Sequence, residues 1–242
     1  MANQNRNRLS RRTFVKGAAG LGGGVAVASF ASAMGISTAF ASHNANDEPQ
    51  TILNLAATAE TLAVTHYYSA LTARTFSLSD EDVLYLKNAL DSEQKHLDFL
   101  MANGGQSLTQ QFFVPATLLS DAGVFVQVTT TAETAFVGAY LAATRRFAEL
   151  GNPRLAATAA QVACIEAQHL ALARDIGGLV PNDISLALPI YYNVSDAVPT
   201  LAPFLKGGEG FIGPVAYPGK DKVMAALGGV KVRDIPPFTA VF

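Results

Sequence analysis

Glu93-Gln94-Lys95-His96 (EQKH) and Glu166-Ala167-Gln168-His169 (EAQH) are two copies of one pattern, a carboxylate followed three residues later by an imidazole. The copies lie 73 residues apart in a chain with only four histidines, and that coincidence governs the reading of everything else. In a helix, residues three apart sit ~60° apart around the axis and one turn along, so Glu and His of each copy point the same way. Working outward, Thr58-Ala59-Glu60-Thr61 recurs as Thr131-Ala132-Glu133-Thr134 at the same offset of 73. Carried on to Ala70 and Ala143, the alignment has seven identities in thirteen positions, Val64 with Val137 and Tyr67 with Tyr140 among them. Both halves close on Gly-Gly (Gly104-Gly105 and Gly177-Gly178), and in each half the lone glutamate precedes the Glu-x-x-His by 33 residues. The chain carries an internal duplication.

The segments between these landmarks read as helices. Pro49 to Arg74 is apolar, with no internal Gly or Pro. Ser79 with Asp80, Glu81 and Asp82 makes an N-cap and an acidic first turn, opening a second helix that runs to about Asn103 with Gly104 at its end. Residues 105–119 look irregular, and Pro115 breaks any helix there. A third helix starts near Ser120 and runs to about Leu150, although Val124–Thr131 is rich in β-branched residues. Gly151-Asn152-Pro153 supplies a stop, a cap and a proline at the first helical position of a fourth helix ending at Gly177. Two short links and one long connection predict an all-α fold, an antiparallel four-helix bundle with a long crossover between its second and third helices. No alternating run predicts a real sheet. Residues 179–242 hold most of the prolines, many glycines and several aromatics, with only Lys220–Leu227 reading as a short helix. This irregular Pro/Gly-rich C-terminal extension is too apolar for a free linker and is expected to pack on the bundle.

Glu60 and Glu133 fall mid-helix among Ala, Thr, Val and Leu, on faces expected to be buried. Four buried carboxylates cost several kcal/mol each unless neutralised, and no nearby Lys or Arg shares their face. Two divalent cations would bring four glutamates to zero net charge, and two imidazoles would complete the ligand set. Such donors favour iron or manganese over zinc. Tyr67 and Tyr140, each seven residues after its glutamate, lie ~10 Å along the same helix face. They are candidate catalytic residues, hydrogen-bonding a ligand or giving up an electron; the plainer reading is a core aromatic whose hydroxyl reaches a neighbouring carboxylate. His66 has no counterpart at Ala139 and is not expected to bind metal. Asp91 and Asp98 are candidates for orienting His96, against the simpler reading of solvated acids, and Cys164 reads as a small core residue.

One Glu from each of two helices plus Glu-x-x-His from each of the other two, in this order, resembles the di-metal carboxylate site of the ferritin-like superfamily. The resemblance covers roughly residues 50–178. It implies Glu60 and Glu133 as terminal ligands, Glu93 and Glu166 as bridges, and His96 and His169 as one nitrogen ligand for each metal. The implied cofactor is two Fe, two Mn or a mixed pair.

The first 41 residues stand apart. Ser10-Arg11-Arg12-Thr13-Phe14-Val15-Lys16 resembles the twin-arginine export signal, a charge-free Gly/Ala stretch follows, and Ala39-Phe40-Ala41 fits a cleavage site. The expected organisation is therefore a signal over 1–41, a bundle over 42–178 and the extension over 179–242, in a periplasmic or extracellular protein without a membrane span after cleavage; the alternative is an uncleaved leader kept as a membrane anchor. The signal holds five basic and no acidic residues, so the remainder has 17 − 5 = 12 basic against 19 acidic side chains, a net charge of −7. That balance disfavours nucleic acids as partners. One Cys excludes an internal disulfide framework. Among exported ferritin-like proteins the leader and extension look closest to those related to plant desiccation-related proteins. This resemblance implies redox chemistry on O2 or H2O2, of peroxidase, catalase or ferroxidase type, in stress protection. Two other readings stand beside it: a non-enzymatic interaction protein in which the metal pair staples the bundle, and iron storage. A homodimer is compatible with the first two.

Overall fold

The duplication folds as two helical hairpins. A computed structural model describes residues 47–241, so the export-signal reading of residues 1–41 falls outside the described residues. Helix α1 (Pro49–Ala73) begins on a proline at its first turn, where a missing N–H costs nothing. Helix α2 (Asp80–Ala102) opens with a capping box: Ser79 Oγ accepts from Asp82 N at 3.1 Å, and Asp82 Oδ2 accepts from Ser79 N at 3.2 Å. Gly104, at φ +89°, ends it in a backbone region that side chains rarely adopt. Helix α3 (Ala122–Glu149) is capped by Asp121, whose carboxylate accepts from Gly123 N and Val124 N. Helix α4 (Pro153–Ile176) is capped by Asn152. The links of α1–α2 and α3–α4 are short, so each pair packs as antiparallel neighbours. The β-branched run 124–131 is helical because its cap and its buried Phe125, Val126 and Val128 outweigh local propensity.

Buried side chains form two clusters along the bundle. Helix α1 gives Ile52, Ala56 and Ala57 to one and Leu62, Val64, Tyr67 and Ala70 to the other, with Glu60 between them. Helix α2 does the same around Glu93, and α4 around Glu166. A charged layer thus divides the apolar core.

The crossover and extension are more regular than their sequences suggest. Strand β1 (Gln111–Pro115) pairs antiparallel with β2 (Phe211–Ala216), Gln111 opposite Ala216 and Pro115 opposite Phe211, with a register irregularity between Phe112 and Val114. This two-stranded ribbon corrects the expectation of no sheet. The extension also holds a 3-10 turn (Val194–Ala197) and helices α5 (Val198–Lys206), α6 (Lys220–Leu227) and α7 (Phe238–Val241), where only α6 was expected. It packs on the bundle: α5 lies on β1, α6 on α2 and α1, and α7 on α4. Val232 N donates to buried Asp91 Oδ2 at 2.8 Å, and Tyr217 Oη donates to Gln94 at 2.8 Å. No helix among the described residues is long and apolar enough to cross a membrane.

Candidate metal centre

All six ligand candidates meet in the middle of the bundle. Glu60, Glu93, Glu133 and Glu166 are at most 1% exposed. His96 Nδ1 lies 3.2 Å from Glu93 Oε2 and 3.1 Å from Glu166 Oε1. His169 Nδ1 lies 2.8 Å from Glu93 Oε1 and 3.2 Å from Glu166 Oε2. Each of these two carboxylates therefore sets one oxygen against each imidazole, the disposition of a bridge. The donor atoms fall into two overlapping groups, Glu60–Glu93–His96–Glu166 and Glu93–Glu133–Glu166–His169, each with its atoms within 4.8 Å of one another. Glu60 belongs to one group and Glu133 to the other, as terminal ligands would.

Hydrogen bonds within the chain leave this cluster incomplete. Glu93 Oε1 and Glu166 Oε1, although close to an imidazole, have no hydrogen-bond partner, and neither do Glu60 Oε2 and Glu133 Oε2. One orphaned oxygen on each of four buried carboxylates is costly unless something positive lies between them. The donor set, four carboxylates and two imidazoles with no sulfur, fits a pair of hard or intermediate divalent cations. Helical spacing of three brings each Glu and His together, and the packing of α2 near α4 brings the two pairs face to face.

Electrostatics express the same strain. Burial, reinforced by the charges of Glu93 and Glu166, holds Glu60 well above the usual carboxylate range. Glu133 is raised well above it too, by burial first and Glu93 second. Burial pushes Glu93 in the same direction, but the His169 and His96 imidazoles outweigh it and hold Glu93 well below. His96 is pushed up to about 9: burial opposes its charge, and the Glu166 and Glu93 carboxylates win. His169 is likewise raised well above its ordinary value, against burial, by Glu93 and Glu166.

The tyrosines cross the bundle. Tyr67 of α1 donates its hydroxyl to Glu133 Oε1 of α3, and Tyr140 of α3 donates to Glu60 Oε1 of α1. In each case the carboxylate that the hydroxyl reaches belongs to the other half of the duplication. A two-fold relation between the repeats makes this exchange natural. The bonds occupy Oε1 of Glu60 and of Glu133 and leave Oε2 of each without a hydrogen-bond partner. Burial, then the carboxylate it binds, raises each phenol well above its ordinary value.

Other candidates sit elsewhere. His66 is buried against Phe125, ring centroids 5.2 Å apart, with Nε2 2.8 Å from Thr129 Oγ1. Because Thr129 donates its own proton to the Phe125 carbonyl, His66 carries its hydrogen on Nε2. It belongs to neither donor group. Asp91 is not a solvated acid: it anchors the extension through Val232 N. Asp98 accepts from Gln94 and from Lys220 Nζ, at 2.9 and 2.6 Å. Neither is in contact with His96. Cys164 is exposed, which corrects its reading as a core residue; it follows Ala163 onto the outer side of α4. The spacing of Gln94 and Asp91 along α2 carried no signal for contacts more than a hundred residues away.

The model of the ferritin-like domain family matches residues 49–178, more than half of the chain. Neither a curated protein nor a solved structure matches it.

Proposed function

Since this chain belongs to the ferritin-like domain family, we propose that it holds a carboxylate-bridged pair of iron or manganese ions and acts on dioxygen or hydrogen peroxide, after export by the twin-arginine route to the periplasm or beyond. The observation that carries this reading is the placement of one oxygen of Glu93 and one of Glu166 against each imidazole. Bound there, such a pair supplies two electrons by moving between its divalent and trivalent states, the number that both substrates accept.

The protein's own part is positional. Glu93 and Glu166 span the two halves of the centre, while His96 and His169 present Nδ1 inward, one to each half. Tyr140 and Tyr67 hold the terminal carboxylates of Glu60 and Glu133 by one oxygen, so the free oxygen of each is fixed in direction before any cation arrives. Four nearly inaccessible carboxylates in an apolar surround exclude bulk water from the reacting region. The roles of the phenols as hydrogen-bond donors and as electron sources are both open to this geometry. A role in protection from oxidative or drying stress rests on the resemblance to exported ferritin-like proteins alone.

Elemental analysis of protein purified from its native compartment tests the reading. Two iron or manganese ions per chain are expected, with consumption of O2 or H2O2 by the loaded protein. Glu93→Ala combined with His96→Ala should lose the metal and the turnover while keeping the helical circular-dichroism spectrum. Metal-free native protein, or a double variant that keeps both ions, rejects it.

A further inference from the structure

The duplication keeps its ligands but not the residues behind them. Two cavities of about 30 Å³ each adjoin Tyr140 and share Ile52, Ala56 and Ala143 in their walls. One lies beneath the 3-10 turn and α5; the other reaches His96 and extends to Phe99 and Val162, both partly exposed. Since about 10–15 Å³ of such space admits one water, each holds a guest of two or three heavy atoms. Apart from His96, Tyr140 and Thr158, the walls are hydrocarbon. A guest that needs hydrogen bonds loses its hydration there with little in return, whereas an apolar one does not.

Three of the wall positions carry larger side chains in the other half, while Phe136 is answered there by the smaller Ala63. At positions 73 residues away, the wall residues Ala135, Ala139 and Ala159 are answered by Leu62, His66 and Leu86, all three buried. The His66 ring stacks on Phe125, the counterpart of Ile52, and so occupies what is open space beside Tyr140. The histidines follow suit: the His96 side chain is 13% exposed and that of His169 is 5%.

We propose that a small apolar gas, dioxygen in the reaction above, reaches the centre from the Glu60–His96 half through the cavity floored by Ala56, Tyr140 and Ala143, and that the His66–Tyr67 half is the closed side. This deepens the metal-centre reading and rests on it, and it selects dioxygen over peroxide, which hydrogen-bonds too strongly to favour a hydrocarbon passage.

Xenon-pressurised crystals of the metal-free protein test the void independently of metal and turnover. Xenon density is expected beside Tyr140 and not beside Tyr67. His66→Ala should open a second xenon site on the Tyr67 side, and Ala159→Leu should remove the one next to His96. Val162→Phe narrows the same cavity from a partly exposed rim position, so it stands in should Ala159→Leu fail to fold. The second readout is the rate at which nitric oxide binds the Fe(II)-loaded protein, seen by absorption spectroscopy. Close packing leaves little alternative path, so this rate should fall about tenfold in the folded closing variants with iron content unchanged. No xenon beside Tyr140 in the parent, or an unchanged nitric oxide rate in variants that have lost the xenon, overturns the proposal. A protein that shows the xenon site but binds no iron separates failure of the metal reading from presence of the void, and it too overturns the assigned route.

Discussion

His66 and Ala139 occupy equivalent places in the duplication, yet only one of them titrates. Burial pushes the His66 imidazole down to about 4, against a weaker upward pull from Glu93, so the folded protein keeps it neutral. As pH falls from above 6.5, the unfolded chain takes up this proton first, and stability that is full at neutral pH is lost progressively toward pH 4. Linkage puts the loss from this one residue at about 2 kcal/mol by pH 5. Replacing it with an uncharged hydrogen-bond donor, His66→Gln, should shrink the difference in unfolding free energy between pH 7 and pH 5 by that amount. Urea titrations of both proteins at the two pH values measure it, since the metal-centre groups contribute alike to each. An equal pH dependence in the two would mean that His66 takes up its proton over the same pH range in the fold as in the unfolded chain. The residues of the candidate centre respond to a different challenge. On the proposed reading, removing the cations would leave four buried carboxylates facing two imidazoles, so chelation should lower the thermal midpoint, and scanning calorimetry of loaded and stripped protein reads the difference.

At the scale of elements, caps and clean interiors set the helices. Ser79 and Asp82 satisfy each other's backbone at the start of α2, more than three turns before Glu93. Ser79→Ala should therefore cost about 1 kcal/mol of stability, seen in a urea midpoint, with metal content unchanged. The same local chemistry explains what was legible beforehand. The four long helices announce themselves by caps, Gly/Pro stops and long uninterrupted interiors, and the six residues of the candidate centre by a repeat that puts charge where none should be buried. The ribbon was not legible, because β1 and β2 find each other across the whole second hairpin and β2 contains Gly213 and Pro214. Helix α5 hid behind two prolines: Pro199 sits in the first turn, where its missing N–H is harmless, and Pro203 forfeits one bond in a helix with buried Thr200, Leu201 and Phe204. Which carboxylate each tyrosine would reach was not legible, because spacing along one helix says nothing of its neighbour across the bundle.

The whole molecule is a bundle strapped by its own extension. Arg145 donates to the Tyr192 carbonyl at 3.1 Å and lies over the Tyr192 ring, and Asp47 accepts from Ser195 N at 2.8 Å. Gly138 lets this strap lie close: a Cβ there would come within 2.6 Å of Ile190 Cγ1 and 3.2 Å of Tyr191 Cδ2. Gly138→Val should then loosen the segment around Ile190 and destabilise the protein by about 1–3 kcal/mol. Limited proteolysis should cut the variant faster within 179–193 while the fragment holding α1 to α4 survives; parent-like resistance would show that the strap tolerates the side chain. The ribbon ties the molecule together over a longer span still. Because Gln111 pairs with Ala216, a ribosome delivers the second strand only after all four long helices have emerged. Until then the nascent polypeptide carries β1 without its partner strand, with Phe112 lacking the cover it has in the fold. The second strand is what closes the first hairpin's exit, so synthesis must pass beyond Ala216 before the ribbon can seal.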